Sequence, residues 1–313
     1  MVEEPTFSID SLQSKLPQYR RNVVVSSSCQ QEGKANIMYS QREPITLERA
    51  VQYAPSLAAP APHFSRSSQY EYVPTLRVLE ALDKEGFQIH GIQTAKVRTP
   101  HRKGFEKHLV RLRRPTLDYA EEAPEIAVIN SHDGSSSYQI LAGLIRFICE
   151  NGLFAGTKWG EVRIPHKGRN TVRDVIEGTY EVLETFETIV SNVNVMKKIP
   201  LLHAEQELLA RSALTLRYEG REPPITTSTA LEIHRKEDDA PTLWNTYNRL
   251  QENLTKGGQR GWARGVDGRM RRRVTRPLQG IDGSVSFNRA LWQLTEEFAA
   301  LKGVELPGPA FQS

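Results

Sequence analysis

The hydrophobic pattern is clearest after residue 74, where helical spacing gives way to strand alternation. Leucines recur every third position up to a glycine, which predicts a helix over residues 75–85. Apolar and polar residues then alternate in Phe87–Gly91 and in Lys107–Arg114, which predicts two strands joined by a basic loop. A third apolar run, Ile126–Ile129, ends at a turn-rich stretch with Asp133-Gly134 as the predicted hairpin turn. The pattern therefore indicates a helix followed by an antiparallel β-meander.

The second half of the chain is dominated by helical periodicity. An apolar run over Tyr138–Ile148 and a short predicted strand over Val162–His166 come first. Apolar residues then recur at three and four over residues 171–197, which predicts one long amphipathic helix. Three further helices are predicted over Ala204–Tyr218, Pro241–Leu254 and Asn288–Lys302. The predicted fold class is α+β: an antiparallel β-meander with packed helices, followed by a mainly helical C-terminal half.

The first 70 residues show little sustained periodicity. Val23–Val25 favours a β-strand, and Thr46 is placed to cap a short helix over Leu47–Tyr53. The Pro/Ala segment Ala54–His63 cannot continue a helix through its prolines. We predict three regions: an extended N-terminal arm or linker over residues 1–70, an α+β core over residues 71–200, and a mainly helical region over residues 201–313 with a basic Gly/Arg-rich loop.

Composition indicates an intracellular globular protein. The 313 residues are 38% hydrophobic and 25% charged, and no apolar run approaches the ~20 residues of a membrane helix, so no membrane partner is expected. The two cysteines, Cys29 and Cys149, lie far apart, which excludes a disulfide framework and a cysteine-rich zinc module. The first residues lack the basic-then-apolar order of a secretory signal. We expect a cytoplasmic location.

The net charge of +4 hides two dense basic segments. The first surrounds the predicted hairpin, where alternation places Arg111 and Arg113 on one face and Val110 and Leu112 on the core face. Its candidate phosphate-binding residues are Arg98, Arg102, Lys103, Lys107, Arg111, Arg113 and Arg114. The alternative is a solvated hairpin with an ordinary basic surface.

The second basic segment is Lys256–Arg276. Its five glycines predict flexibility, its tryptophan can stack on a base, and its cations can follow a phosphate backbone. The candidate binding residues are Lys256, Arg260, Trp262, Arg264, Arg269, Arg271, Arg272, Arg273 and Arg276. The alternative is a disordered surface loop between two helices. A single acid, Asp267, lies among these cations, and this imbalance favours nucleic-acid binding.

The stretch Asn130–Ser137 contains His132 and Asp133, a pair that also occurs in metal-dependent hydrolases. A catalytic metal needs at least three convergent ligands, and no HxxxH or HxxE motif lies nearby. We therefore expect no metal and no catalytic residue here: Asp133 accepts backbone hydrogen bonds in the turn, and Gly134 supplies a positive φ. Neither a GxxxxGK[ST] loop nor a GxSxG elbow occurs, so no cofactor and no enzymatic activity are predicted.

Several strings resemble a known family. They are Tyr72–Thr75, Gly86-Phe87, His108–Arg113, Ile129–Gly134, Arg146–Leu153, Leu243–Leu254 and Asn288–Trp292. Together they resemble the phage/plasmid-like family called domain of unknown function 932, over roughly residues 70–300. The resemblance implies a mobile-element protein and supplies no catalytic residues. The order of elements, β-β-β-α with a basic hairpin, is similar in outline to phage single-strand annealing proteins of the Redβ and RecT type.

Three functional hypotheses follow. The first is a non-catalytic protein of a mobile element that binds single-stranded DNA or RNA, as an annealing or recombination accessory, in a homo-oligomer or a larger nucleoprotein assembly. The second is an RNA-binding subunit of an RNA-guided or defence-related assembly. The third is a metal-dependent hydrolase centred on His132 and Asp133. Salt-dependent binding without turnover distinguishes the first two from the third.

Overall fold

The predicted meander forms the centre of a larger antiparallel sheet. A computed structural model of the chain describes residues 37–39, 43–115, 122–146, 151–154, 161–166 and 172–308. The strands of this sheet are Ile37–Tyr39 (β1), Gln88–Thr94 (β2), His108–Arg113 (β3), Glu122–Asn130 (β4), Tyr138–Arg146 (β5), Asn151–Phe154 (β6) and Glu161–Ile164 (β7). Strands β1 to β6 lie in sequence order, and β7 also pairs with β5. The predicted meander is confirmed, and the apolar run after the hairpin turn supplies a further strand, β5.

The helices surround this sheet and fill the C-terminal half, as the predicted α+β class requires. They are Leu47–Tyr53 (α1), Thr75–Lys84 (α2), Val172–Leu183 (α3), Phe186–Met196 (α4), His203–Tyr218 (α5), Thr227–Ala230 (α6), Leu243–Lys256 (α7) and Ile281–Leu301 (α8). Short 3-10 turns occur at Pro55–Ala58, Pro100–Arg102 and Lys236–Asp238. None of these described helices has both the length and the apolar character needed to cross a bilayer.

Two helix predictions need correction. The single helix predicted over residues 171–197 is two helices, α3 and α4. Between them the Thr185 hydroxyl donates to the Val182 carbonyl oxygen at 2.7 Å, a local bond that competes with the helical ladder. Helix α8 begins at Ile281, seven residues before its predicted start, because Ile281 and Val285 already bury an apolar face.

Both faces of the sheet are covered. On one face Val110, Leu112 and Ile126 belong to the main hydrophobic core, which also contains residues of α2, α3 and α7. On the opposite face Leu109 and its neighbours pack with Ile281 of α8. Strand β4 is consequently buried along its whole length. Polar side chains on either face of the central strands therefore lie inside the protein.

The predicted N-terminal arm is wrong for residues 43–70, which pack on the core. Helix α1 has its predicted bounds, and the Thr46 hydroxyl caps it by accepting from the Arg49 amide at 3.3 Å. Pro55 starts a 3-10 turn in place of an extended linker, and this turn buries Leu57 completely. The predicted strand at Val23–Val25 and both cysteines lie outside the described residues.

The regions predicted on either side of residue 200 share one core. Contacts group Ala35–Ser313 into a single compact unit. Ile199 and Leu201, which flank the predicted boundary, belong to the same hydrophobic cluster. The described residues therefore show no separation between an α+β core over 71–200 and a helical region over 201–313.

Candidate nucleic-acid interface

The second basic segment forms a β-hairpin, so the expectation of a flexible loop is wrong. Its strands are Arg260–Arg264 (β8) and Met270–Val274 (β9), and Trp262 pairs with Arg272 across them. The turn between the strands is closed by a hydrogen bond from the Gly265 amide to the Arg269 carbonyl oxygen at 2.8 Å. Cations stand at the positions where a buried strand carries apolar residues, and this explains why hydrophobic alternation did not identify the hairpin.

Backbone hydrogen bonds fix the hairpin to the rest of the protein. At its base, the Gly258 amide donates to the Thr275 carbonyl oxygen at 2.9 Å. Halfway along β8, the Trp262 amide donates to the Pro224 carbonyl oxygen at 2.7 Å. The preceding residue must be small, since a β-carbon on Gly261 would lie 1.8 Å from that same oxygen. These contacts fix the backbone of β8 at Trp262 against the segment that contains Pro224.

One face of the hairpin combines an aromatic ring with cations. Because side chains alternate along strands, Trp262 and Arg272 share a face with Arg260, Arg264, Met270 and Val274. We call these six residues the tryptophan face. The Trp262 side chain is 53% exposed, and the Arg272 guanidinium carbon lies 5.6 Å from the ring centroid. The face therefore presents an accessible indole, within cation–π range of one arginine, to the solvent.

The other predicted cations of this segment are exposed around the same hairpin. They are Lys256, Arg269, Arg271, Arg273 and Arg276. Two of them have acidic partners: Lys256 pairs with Glu252 at 3.1 Å, and Arg271 pairs with Asp267 at 2.6 Å. The nine predicted residues of the second segment are thus exposed on the hairpin or next to it, with Lys256 at the end of α7 and with Arg271 and Arg273 on the face opposite Trp262.

The prediction that Arg111 and Arg113 of the first segment contact nucleic acid is wrong. Arg111 and Arg113 share a face, as expected, but that face is covered, and Arg113 is only 2% exposed. Both approach the buried carboxylate of Glu125, with Arg111 Nη1 at 3.1 Å and Arg113 Nε at 3.6 Å. They are interior ion-pair residues and cannot reach a nucleic acid. The core positions predicted for Val110 and Leu112 are confirmed.

The remaining cations of the first segment differ in accessibility. Arg98 and Lys103 are exposed in the loop between β2 and β3, and Arg102 lies 3.8 Å from Asp133. Lys107 bonds both carboxylate oxygens of Asp282 at 2.8 Å and so ties this loop to α8. The Arg114 guanidinium lies over the Phe87 ring at 5.6 Å. We call residues 95–107 the basic loop; its accessible cations include Arg98, Arg102 and Lys103.

His132 lies in a buried polar cluster rather than in an open site. Thr75 Oγ1 is hydrogen bonded to His108 Nε2 at 2.9 Å and to His132 Nε2 at 3.3 Å, and it accepts from Asn130 Nδ2 at 3.0 Å. Burial lowers the pKa of His108 to about 3 and that of His132 to about 4, so both rings are neutral at pH 7. The cluster ties α2 to the sheet.

The neighbouring turn has the geometry predicted for it. The Asp133 carboxylate accepts from the Ser135 amide at 2.9 Å, and Gly134 has φ +76°. Within the described part of the chain, no group of three or more His, Cys, Asp or Glu side chains is arranged to hold a metal ion. The hydrolase centred on His132 and Asp133 stays an untested hypothesis.

Sequence reasoning missed one exposed aromatic residue, Phe64. Its ring is 81% exposed and lies 6.0 Å from the ring of His101 in the basic loop. The only available signal was an aromatic residue directly after the Pro/Ala segment, and assigning that segment to a free arm removed Phe64 from consideration.

The chain is thus an α+β protein with a buried Asn130–Asp133 segment beside its sheet and an exposed basic hairpin. The chain belongs to the family described as Domain of unknown function (DUF932), whose model matches residues 62–292. The matched range includes both basic segments, and the family predicted from the sequence strings is confirmed.

Two relatives from Escherichia coli (strain K12) are similar to the chain. They are UPF0380 protein YfjQ and UPF0380 protein YafZ, each 44% identical over 264 residues, which cover 84% of this chain and 94% of each relative. No solved structure matches the chain.

Proposed function

We propose that this protein binds single-stranded nucleic acid through the tryptophan face, without catalysing a reaction on it. The observation that carries the proposal is the exposed Trp262 ring beside Arg272 on the strand face that also bears Arg260 and Arg264. An unpaired base stacks on such a ring, and the surrounding guanidinium groups contact its phosphates.

The geometry favours a single strand over a duplex. Stacking on Trp262 requires a base with a free planar face, whereas the bases of a duplex already stack on one another. Stacking contributes about 1–3 kcal/mol per base and depends little on sequence, since every base has a planar face. The backbone bonds that fix the hairpin reduce the ordering cost of binding.

Several finer features of the proposal rest on the sequence. They are a cytoplasmic location, a mobile-element origin, a role as an annealing or recombination accessory, and assembly into a homo-oligomer or larger nucleoprotein complex. A basic hairpin suits such a role because phosphate contacts give affinity without sequence preference.

The test is fluorescence anisotropy with labelled 20-nucleotide single strands of DNA and RNA and a matched duplex, at two salt concentrations. Trp262→Ala should weaken single-strand binding about 5- to 150-fold, the loss expected for one stacked base. Trp262→Phe should retain most of the affinity because it keeps an aromatic ring. Leu202→Ala serves as the control, since Leu202 is 70% exposed and lies at the N-terminal end of α5.

Two results would overturn the proposal: a wild-type protein without salt-dependent binding to either single strand, or a Trp262→Ala variant that binds as tightly as wild type. Tighter binding to the RNA strand than to the DNA strand would favour the RNA-binding alternative.

A further inference from the structure

A second exposed aromatic residue lies beside the basic loop. Phe64 is 81% exposed, and its ring centroid is 4.2 Å from that of His63 and 6.0 Å from that of His101. His63 is buried and its Nε2 is hydrogen bonded to the His101 carbonyl oxygen at 3.2 Å. Phe105 packs edge-on against the His63 ring at 5.2 Å. The Phe64 ring thus stands on a structured support at the surface.

The loop that contacts this ring through His101 also carries exposed cations. The basic loop contributes Arg98, Arg102 and Lys103, all of them exposed. Among the described carboxylates none pairs with Arg98 or Lys103. Arg102 is 46% exposed and keeps only a long, 3.8 Å approach to Asp133. An exposed aromatic ring next to available cations is the combination that also defines the tryptophan face.

A cleft lies between the basic loop and the N-terminal end of α8. It has a volume of about 570 Å³, and its walls include Arg98 and Arg102 on one side and Gln279 on the other. Gln279 follows the last residue of β9, Val274, by five positions, so the two lie at most ~18 Å apart along the chain. The segment that lines one wall of the cleft therefore continues directly from the hairpin.

The walls of the cleft carry four cations, Lys96, Arg98, Arg102 and Lys107, against three carboxylates. Its walls contain the carboxylates of Glu106, Asp133 and Asp282, and each has a donor or cation in contact. Glu106 accepts from the Gly104 amide at 2.6 Å, Asp133 from the Ser135 amide at 2.9 Å, and Asp282 from Lys107 at 2.8 Å. Arg98 and Lys96 at the rim have no such partner among the described carboxylates.

We propose that Phe64, together with Arg98, Arg102 and Lys103, is a second stacking platform for the same single strand that occupies the tryptophan face. The strand passes from Trp262 through the cleft to Phe64. This inference rests on the proposed function and extends it, because it defines a ligand long enough to occupy two platforms at once. Two sites joined by one strand act with a high effective concentration, so affinity rises steeply once the strand reaches both.

The experiment compares labelled 5-nucleotide and 20-nucleotide single strands of DNA by fluorescence anisotropy. In the wild type, the long strand should bind at least about 100-fold more tightly than the short one, as expected for two linked sites. Phe64→Ala should lose most of this gain and should change short-strand binding less than about 2-fold. Phe64→Trp should keep the gain. Because Phe64 is exposed, neither substitution should alter the melting temperature, and Leu202→Ala again serves as the control.

The outcomes separate this inference from the proposed function. If Trp262→Ala weakens binding at both lengths while Phe64→Ala binds the long strand like wild type, the second platform is wrong and the tryptophan face stands. An equal loss at both lengths in Phe64→Ala would also overturn the path between two platforms. If wild type binds neither strand, the proposed function itself fails.

Discussion

The interior ion cluster of Glu125, Arg111 and Arg113 leads to a specific stability prediction. Glu125 is completely buried and Arg113 nearly so, and the carboxylate lies 3.1 Å from one guanidinium and 3.6 Å from the other. Glu125→Ala would remove this carboxylate and leave the guanidinium groups of Arg111 and Arg113 on a covered sheet face without its negative charge. Breaking a buried pair in this way costs about 3–5 kcal/mol. Since a domain is typically stable by about 5–15 kcal/mol, the variant should lose a large fraction of its free energy of unfolding.

Urea denaturation followed by circular dichroism measures this cost. Glu219→Ala is the matched control, because Glu219 pairs with Arg221 on the exposed surface, where a pair contributes about 0–1 kcal/mol. Replacing the whole cluster, with Arg111→Met, Arg113→Met and Glu125→Leu together, should recover much of the loss by removing all three charges. A Glu125→Ala variant within about 1 kcal/mol of wild type would refute the assignment of these arginines to the interior.

Three further predictions concern the core, the histidine cluster and the hairpin. Leu112→Ala should lower the free energy of unfolding by about 2–5 kcal/mol in urea titrations, because the side chain is fully buried; a loss below about 1 kcal/mol would contradict its core position. Burial lowers the pKa of His108 and of His132, so their contribution to stability is complete above the unfolded pKa of about 6.5 and is lost as pH falls below it. The free energy of unfolding from urea titrations should therefore drop between pH 7 and pH 5 by about 2 kcal/mol per histidine, and equal values at the two pH values would refute this. Gly261→Ala should force β8 away from Pro224, increase proteolysis of the hairpin and weaken single-strand binding, whereas an unchanged cleavage pattern would show that the backbone contact is not required.

The local parts of the fold follow from the sequence. Alternation predicted the central strands, and a capping threonine with helical spacing predicted α1 at its correct bounds. These features depend on neighbours within a few residues, which a single sequence contains. The covered state of the second sheet face depends instead on α8, which is distant along the chain. Alternation could therefore place Arg111 and Arg113 on one face without indicating that this face is interior.

The residues of the candidate site could be predicted from the sequence, but the hairpin that they form could not. The density of cations around Trp262 identified the segment, but its glycines suggested flexibility. Those glycines instead permit a tight turn and a close approach to Pro224. Phe64 was missed because its exposure beside His101 arises from contacts between segments separated along the chain. Such contacts carry no periodic signal in a single sequence.

The most direct measurement of the central claim is photo-crosslinking of the full chain to a single strand that carries 5-iodouracil, with the adducts located by mass spectrometry. Stacking on the exposed indole predicts an adduct at Trp262 that is competed by unlabelled single strand, is not competed by duplex, and decreases with salt. A strand that crosslinks only outside Arg260–Val274, or an adduct at Trp262 that duplex competes equally well, would contradict the account.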